Sequence, residues 1–160
     1  MTPVRGHYDL VREVEALGFA MPEEYLAVYD STMARFWFFS DCAGREIVDL
    51  LGTLSCGRIL TDFELRDLGI LFPDRRYGEF IFLLHPGLLL SHSDFNGPGW
   101  MPKGMHGYHP KDAYSDAVFL SSRKPPVMLR SIADVHSCMM QALGNETGPD
   151  ELDSYGARSY

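Results

Sequence analysis

The residue pattern predicts an α/β chain in which a mixed sheet is flanked by helices. Three observations lead there. Strand-like runs recur at Tyr25–Tyr29, Met33–Phe39, Tyr77–Leu84 and Leu88–Ser91. Around them lie segments with apolar residues at helical spacing, over 8–17, over 42–55 and in a last stretch that runs to Leu143. The 160 residues are 46% hydrophobic and 22% charged, which is globular usage and the length of a single domain.

In chain order, Leu10, Val11, Val14 and Leu17 recur at helical spacing and stop at Gly18, which predicts a short amphipathic helix over 8–17. Tyr25–Tyr29 and Met33–Phe39 flank Asp30-Ser31-Thr32, the pattern of a hairpin. The run Phe36-Trp37-Phe38-Phe39 is apolar at successive positions, so the strand is expected to be covered on both faces. Ala43, Ile47, Val48, Leu50, Leu51 and Leu54 give the second helix a wide apolar face, and Gly57 is read as its end. Thr61 with Glu64 three residues on matches a capping box, opening a short helix that closes near Gly69. Tyr77–Leu84, a Pro86-Gly87 turn and Leu88–Ser91 return to strand. Ser93–Asp116 reads as a long aromatic- and glycine-bearing loop, Ala117–Leu120 as a strand and Lys124-Pro125-Pro126 as a turn. Ser131 is placed as the cap of the final helix, with Cys138, Met139 and Met140 as packing residues; 145–160 reads as a polar tail.

The charge balance is 14 Lys+Arg against 22 Asp+Glu, a formal net of -8. Binding to a nucleic-acid polymer needs a cationic surplus, so no such partner is expected. No stretch approaches the ~20 apolar residues of a membrane span, so no membrane association is expected either. Three cysteines without C-x-x-C spacing argue against a disulfide framework. With no leader pattern at the start, that gives a cytoplasmic expectation.

Chemistry concentrates in Gly104-Met105-His106-Gly107-Tyr108-His109-Pro110. Glycines near His106 let the backbone turn sharply and come close to a ligand, and a neutral imidazole on such a turn is a good zinc donor. A histidine simply packed in a glycine-rich turn is the competing reading. Asp94, Asp112 and Asp116 are weaker metal candidates, because loop aspartates usually make turns or face water. Arg75-Arg76 could face an anion but reads better as a solvated pair. His85 and His92 read as structural. No P-loop, G-x-G-x-x-G or H-E-x-x-H is present.

The blocks Gly57–Leu65, Phe72–Glu79 and Gly104–Pro110, with Tyr29–Phe36 and Ile132–Val135 in support, resemble the type I phosphodiesterase/nucleotide pyrophosphatase family of the alkaline phosphatase superfamily. The resemblance spans about residues 20–143 and covers only the carboxy-terminal part of that family's catalytic domain. It implies a partial alkaline-phosphatase-like domain over 1–144. It also implies a two-zinc hydrolase acting on phosphodiester or nucleotide small molecules, with a Thr or Ser nucleophile. His106 falls on the family's last metal ligand, and Tyr108 and His109 take nearby roles. The nucleophile and the other ligands, an Asp-His pair among them, belong to a part upstream of these blocks, so the chain is expected to be inactive alone. A complementing first half or a second copy are the expected partners. The alternative is a non-catalytic, self-associating module, for which Phe36–Phe39 and Leu88–Leu90 are expected to form an exposed apolar patch.

Overall fold

The computed structural model describes residues 1–97, 99–122, 124–125 and 127–144. It divides into two compact units, Met1–Asp116 and Ala117–Tyr160. The class is the expected one, helices and sheets together. The elements of the first unit are β1 (Thr2–Pro3), β2 (Gly6–Tyr8), α1 (Leu10–Glu15), β3 (Tyr25–Tyr29), β4 (Met33–Phe38), α2 (Asp41–Thr53), β5 (Gly57–Ile59), α3 (Asp62–Asp67), β6 (Phe80–Leu84), β7 (Leu88–Leu90) and β8 (Gly104–Met105).

The main sheet has four strands in the order β3-β4-β6-β5, and every pairing within it is antiparallel. The expected mixing of strand directions is not inside this sheet: the parallel pair, β2 with β7, is a separate two-stranded sheet. For β3 and β4 the short connection explains this, because a tight turn such as 30–32 can only return a strand antiparallel to its predecessor.

Alternation along the strands divides the core between the two faces. Tyr25, Ala27, Tyr29, Ala34, Phe36, Phe82 and Leu84 join Leu10 and Val14 of α1 and Ala43, Ile47 and Leu51 of α2. Ile81 and Leu83 point the other way, to Leu60 and Leu65. β6 is thus covered on both faces, which is why Phe80-Ile81-Phe82-Leu83-Leu84 is apolar without interruption. The same expectation for Phe36–Phe39 holds at Phe36, but Phe39 lies beyond the strand and is 64% exposed.

Local signals place most helix ends. Ser40 caps α2 by accepting from the Ala43 N–H, and Asp9 caps α1 by accepting from the Arg12 N–H. Thr61 and Glu64 form the expected capping box on α3. Gly57 does not end a helix, since α2 stops at Thr53 and Gly57 opens β5. A Cβ there would sit 2.5 Å from the Leu83 carbonyl oxygen, so this strand can approach β6 only with a glycine at that point. Ser93–Asp116 is not wholly loop, because Gly104–Met105 pairs with Thr2–Pro3.

In the second unit, α4 (Ala133–Ala142) forms where a last helix was expected. Its start is not capped by the Ser131 side chain. Instead the Asp134 carboxylate reaches back and accepts from the Arg130 and Ser131 N–H groups, both at 2.7 Å. Cys138, Met139 and Met140 are not core residues: α4 buries none of its side chains, and Met139 is 60% exposed. Ala117–Leu120 is not a strand but exposed irregular chain, because β-rich composition without a pairing edge yields no ladder. Pro126 of the expected turn and the 145–160 tail lie outside the described residues.

Candidate functional site

The Gly104–Pro110 block is built by backbone pairing on one side and buried side chains on the other. β8 lies antiparallel to β1, with Met105 opposite Thr2 and Gly104 opposite Pro3. The Val4 N–H donates to the Lys103 carbonyl at 3.1 Å, and the Thr2 hydroxyl donates to the Asp112 carboxylate, closing the loop beyond the block. Past His106 the chain turns at Gly107, whose φ of +95° is left-handed backbone that favours glycine. The Gly107 carbonyl accepts from the Thr32 hydroxyl at 2.7 Å.

Tyr108 then points inward. It is buried, and its hydroxyl donates to the Leu88 carbonyl at 2.9 Å; burial raises its pKa above the ordinary tyrosine value. His106 faces outward: it is exposed, and among the described residues nothing hydrogen-bonds its ring. The imidazole is therefore open to a ligand, while the backbone on both sides of it is held. His109 is different. Its Nδ1 accepts from the Lys111 N–H at 3.1 Å. In the neutral ring that leaves the proton on Nε2, so neither nitrogen offers a metal a lone pair unless this contact breaks.

Zinc is held by three or four donors, and the donor set must be judged on that basis. Among the described residues no group of three or more His, Cys, Asp and Glu converges. The weaker candidates serve the scaffold: Asp94 Oδ2 accepts from the Tyr29 N–H at 2.7 Å, and Asp112 holds Thr2. Asp116 is exposed. Arg75 is paired with both carboxylate oxygens of Asp62 at 2.7 and 2.8 Å, and Arg76 with Asp74 at 3.1 Å, so neither waits for an anion. His92 pairs with Asp9 at 3.0 Å, and His85 is exposed. The residues present fit one metal ligand, His106, and do not by themselves fit a zinc pair.

Sequence reasoning missed the anchor beneath the block. Ser31 and Thr32 are buried polar residues in the β3–β4 turn. The Ser31 carbonyl accepts from the Leu90 N–H at 3.0 Å and its hydroxyl from Asn96 Nδ2 at 2.7 Å; the Thr32 carbonyl accepts from the Leu84 N–H at 2.9 Å. Hydroxyl residues in a hairpin turn ordinarily read as solvated, and nothing local marks these two as buried. A cavity of about 570 Å³ lies elsewhere, between α2 and the aromatic pair Phe38 and Phe80, and shares no residue with the block. Compared with protein-family models, curated proteins and solved structures, the chain finds no match.

Proposed function

We propose that this chain is the carboxy-terminal part of a metal-dependent phosphodiesterase/nucleotide pyrophosphatase catalytic domain, in which His106 is one ligand of a zinc pair. The observation that carries the reading is the exposed His106 imidazole, without a hydrogen-bond partner among the described residues, on a turn whose flanking backbone is held on both sides. When bound, a zinc pair activates the attacking oxygen and stabilises the leaving one. Because one donor does not hold such a pair, the remaining ligands and the Thr or Ser nucleophile belong to a complementing segment, and no hydrolytic step is assigned to this chain alone. Its own contribution is a fixed imidazole, with Tyr108 as the buried support beneath it and His109 as a neighbour engaged with its own loop.

The test is hydrolysis of a chromogenic phosphodiester with zinc supplied. The chain alone is expected to be inactive. Addition of a segment bearing a Thr/Ser nucleophile and an Asp-His metal pair is expected to restore turnover, and His106→Ala to abolish it. Full turnover by the complemented His106→Ala variant would refute the assignment.

A second reading is a non-catalytic self-associating module. Of the stretches expected to carry it, Phe36, Leu89 and Leu90 are buried by the first unit's own packing and Leu88 is half-buried, whereas Trp37 and Phe38 are half-buried and Phe39 is exposed. Further support lies in the second unit, where Val118, Leu120, Ile132 and Leu143 are 84%, 89%, 87% and 72% exposed. Sedimentation as a metal-free dimer, weakened by Leu120→Lys or Ile132→Lys, would favour this reading over the first.

A further inference from the structure

We infer that Thr32 is the positioning residue for His106, acting through the carbonyl of Gly107. This rests on the reading of His106 as a ligand and adds the group that aims it. The imidazole has no partner of its own among the described residues, so what the fold fixes is the backbone that carries it and the direction of its Cα–Cβ bond. Upstream, Met105 is fixed by pairing with Thr2. Downstream, the peptide that joins Gly107 to Tyr108 is held by the 2.7 Å hydrogen bond from Thr32 Oγ1 to the Gly107 oxygen.

Three features make this contact a clamp. Thr32 is only 3% exposed, so water does not readily replace its hydroxyl. Its residue is itself immobilised: the turn that carries it is tied by Leu84 and Leu90 through backbone bonds and by Asn96 through its amide. Finally, the approach needs a glycine, because a Cβ on residue 107 would stand 3.0 Å from Thr32 Oγ1, on a backbone already at φ +95°. The donor, its rigid support and the residue that admits it come from separate parts of the chain and meet one residue past His106. Thr32 touches no reacting group in this arrangement; it acts by holding the turn.

The test is backbone ¹⁵N relaxation on the full chain without metal. In the wild type, His106 and Gly107 are expected to relax as rigid backbone, with order parameters near about 0.85. Thr32→Val keeps the shape and removes the donor, and should drop both residues below about 0.6 while the β3–β4 strands stay rigid. Thr32→Ser keeps the donor and should restore them, a rescue that mere filling of space does not give. If Thr32→Val does not fold, Gly107→Ala attacks the same contact from the other side, and should lower the His106 order parameter below about 0.6. Unchanged order in Thr32→Val, failure of Thr32→Ser to restore it, or unchanged order at His106 in Gly107→Ala would each overturn the inference. The relaxation measurement needs no metal. An ordered His106 whose ring signals ignore added Zn²⁺ in the complemented protein would overturn the ligand reading and leave the role of Thr32 standing.

Discussion

The same chemical change, glycine to alanine, is expected to act with opposite sign at two positions only five residues apart. At Gly57 a methyl group would meet the Leu83 carbonyl oxygen at 2.5 Å and the Phe82 ring at 2.8 and 2.9 Å. Neither neighbour can give way easily. The first is backbone in the central strand β6, and the second belongs to a fully buried side chain. Accommodating the added methyl therefore means moving β5 off β6 by several tenths of an ångström, against the pairings Gly57–Leu84, Arg58–Leu83 and Ile59–Phe82. Overpacking costs about 1–3 kcal/mol, and contact with backbone puts Gly57→Ala at the upper end, about 3 kcal/mol. Gly52 lies inside α2, and a methyl group added there would have nothing within 4 Å, so Gly52→Ala should stabilise by about 0.5–1 kcal/mol through helix propensity alone. Urea unfolding of the two variants beside wild type reads both. With m unchanged, the midpoint should fall for Gly57→Ala and rise for Gly52→Ala. A Gly57→Ala variant within about 0.5 kcal/mol of wild type would refute the close β5–β6 approach.

Two further outcomes follow from single contacts. Arg58 and the Thr61 N–H hold the Glu64 carboxyl down at about 2, below its ordinary 4.5. A folded-state pKa lowered in this way gives stability that is present above about pH 4.5 and is lost as pH falls toward about 2. Because the pair is partly solvent-exposed its worth is about 1 kcal/mol or less, and Glu64→Gln should flatten the acid limb of a urea-midpoint-against-pH curve by that amount. An acid limb identical in the two proteins would count against it. Tyr108→Phe should cost about 1–1.5 kcal/mol in the same unfolding assay, since the Leu88 carbonyl loses its donor, whereas exposed His106→Ala should stay within about 0.5 kcal/mol. Equal losses in both would mean that the block is packed differently.

The parts of the fold legible beforehand are those governed by neighbours in sequence. The capping box needs only Thr61 and Glu64, three positions apart, and it forms. The turn at 30–32 needs two β-rich runs with polar residues between them, and the hairpin forms. Placement of His106 at a glycine-assisted bend is likewise local, because Gly107 supplies the left-handed φ, whereas its exposure is read from the structure. Ala117–Leu120 has the composition of a strand and is not one, since composition does not supply the pairing partner that a ladder needs.

What the amino-acid sequence determined by itself was the alternation of helix and strand segments, most of their ends, and which imidazole stands on a glycine-bearing turn. Tertiary structure alone decided the rest. Gly57 reads as punctuation along the chain, yet its missing side chain is demanded by Leu83, 26 positions later. Thr32 reads only as part of a hairpin turn, yet its hydroxyl is buried and spent on a carbonyl 75 positions away. The physical reason is common to both. Backbone propensity and capping act over three or four residues, whereas steric exclusion and buried hydrogen bonding depend on whatever the fold brings within 3 Å.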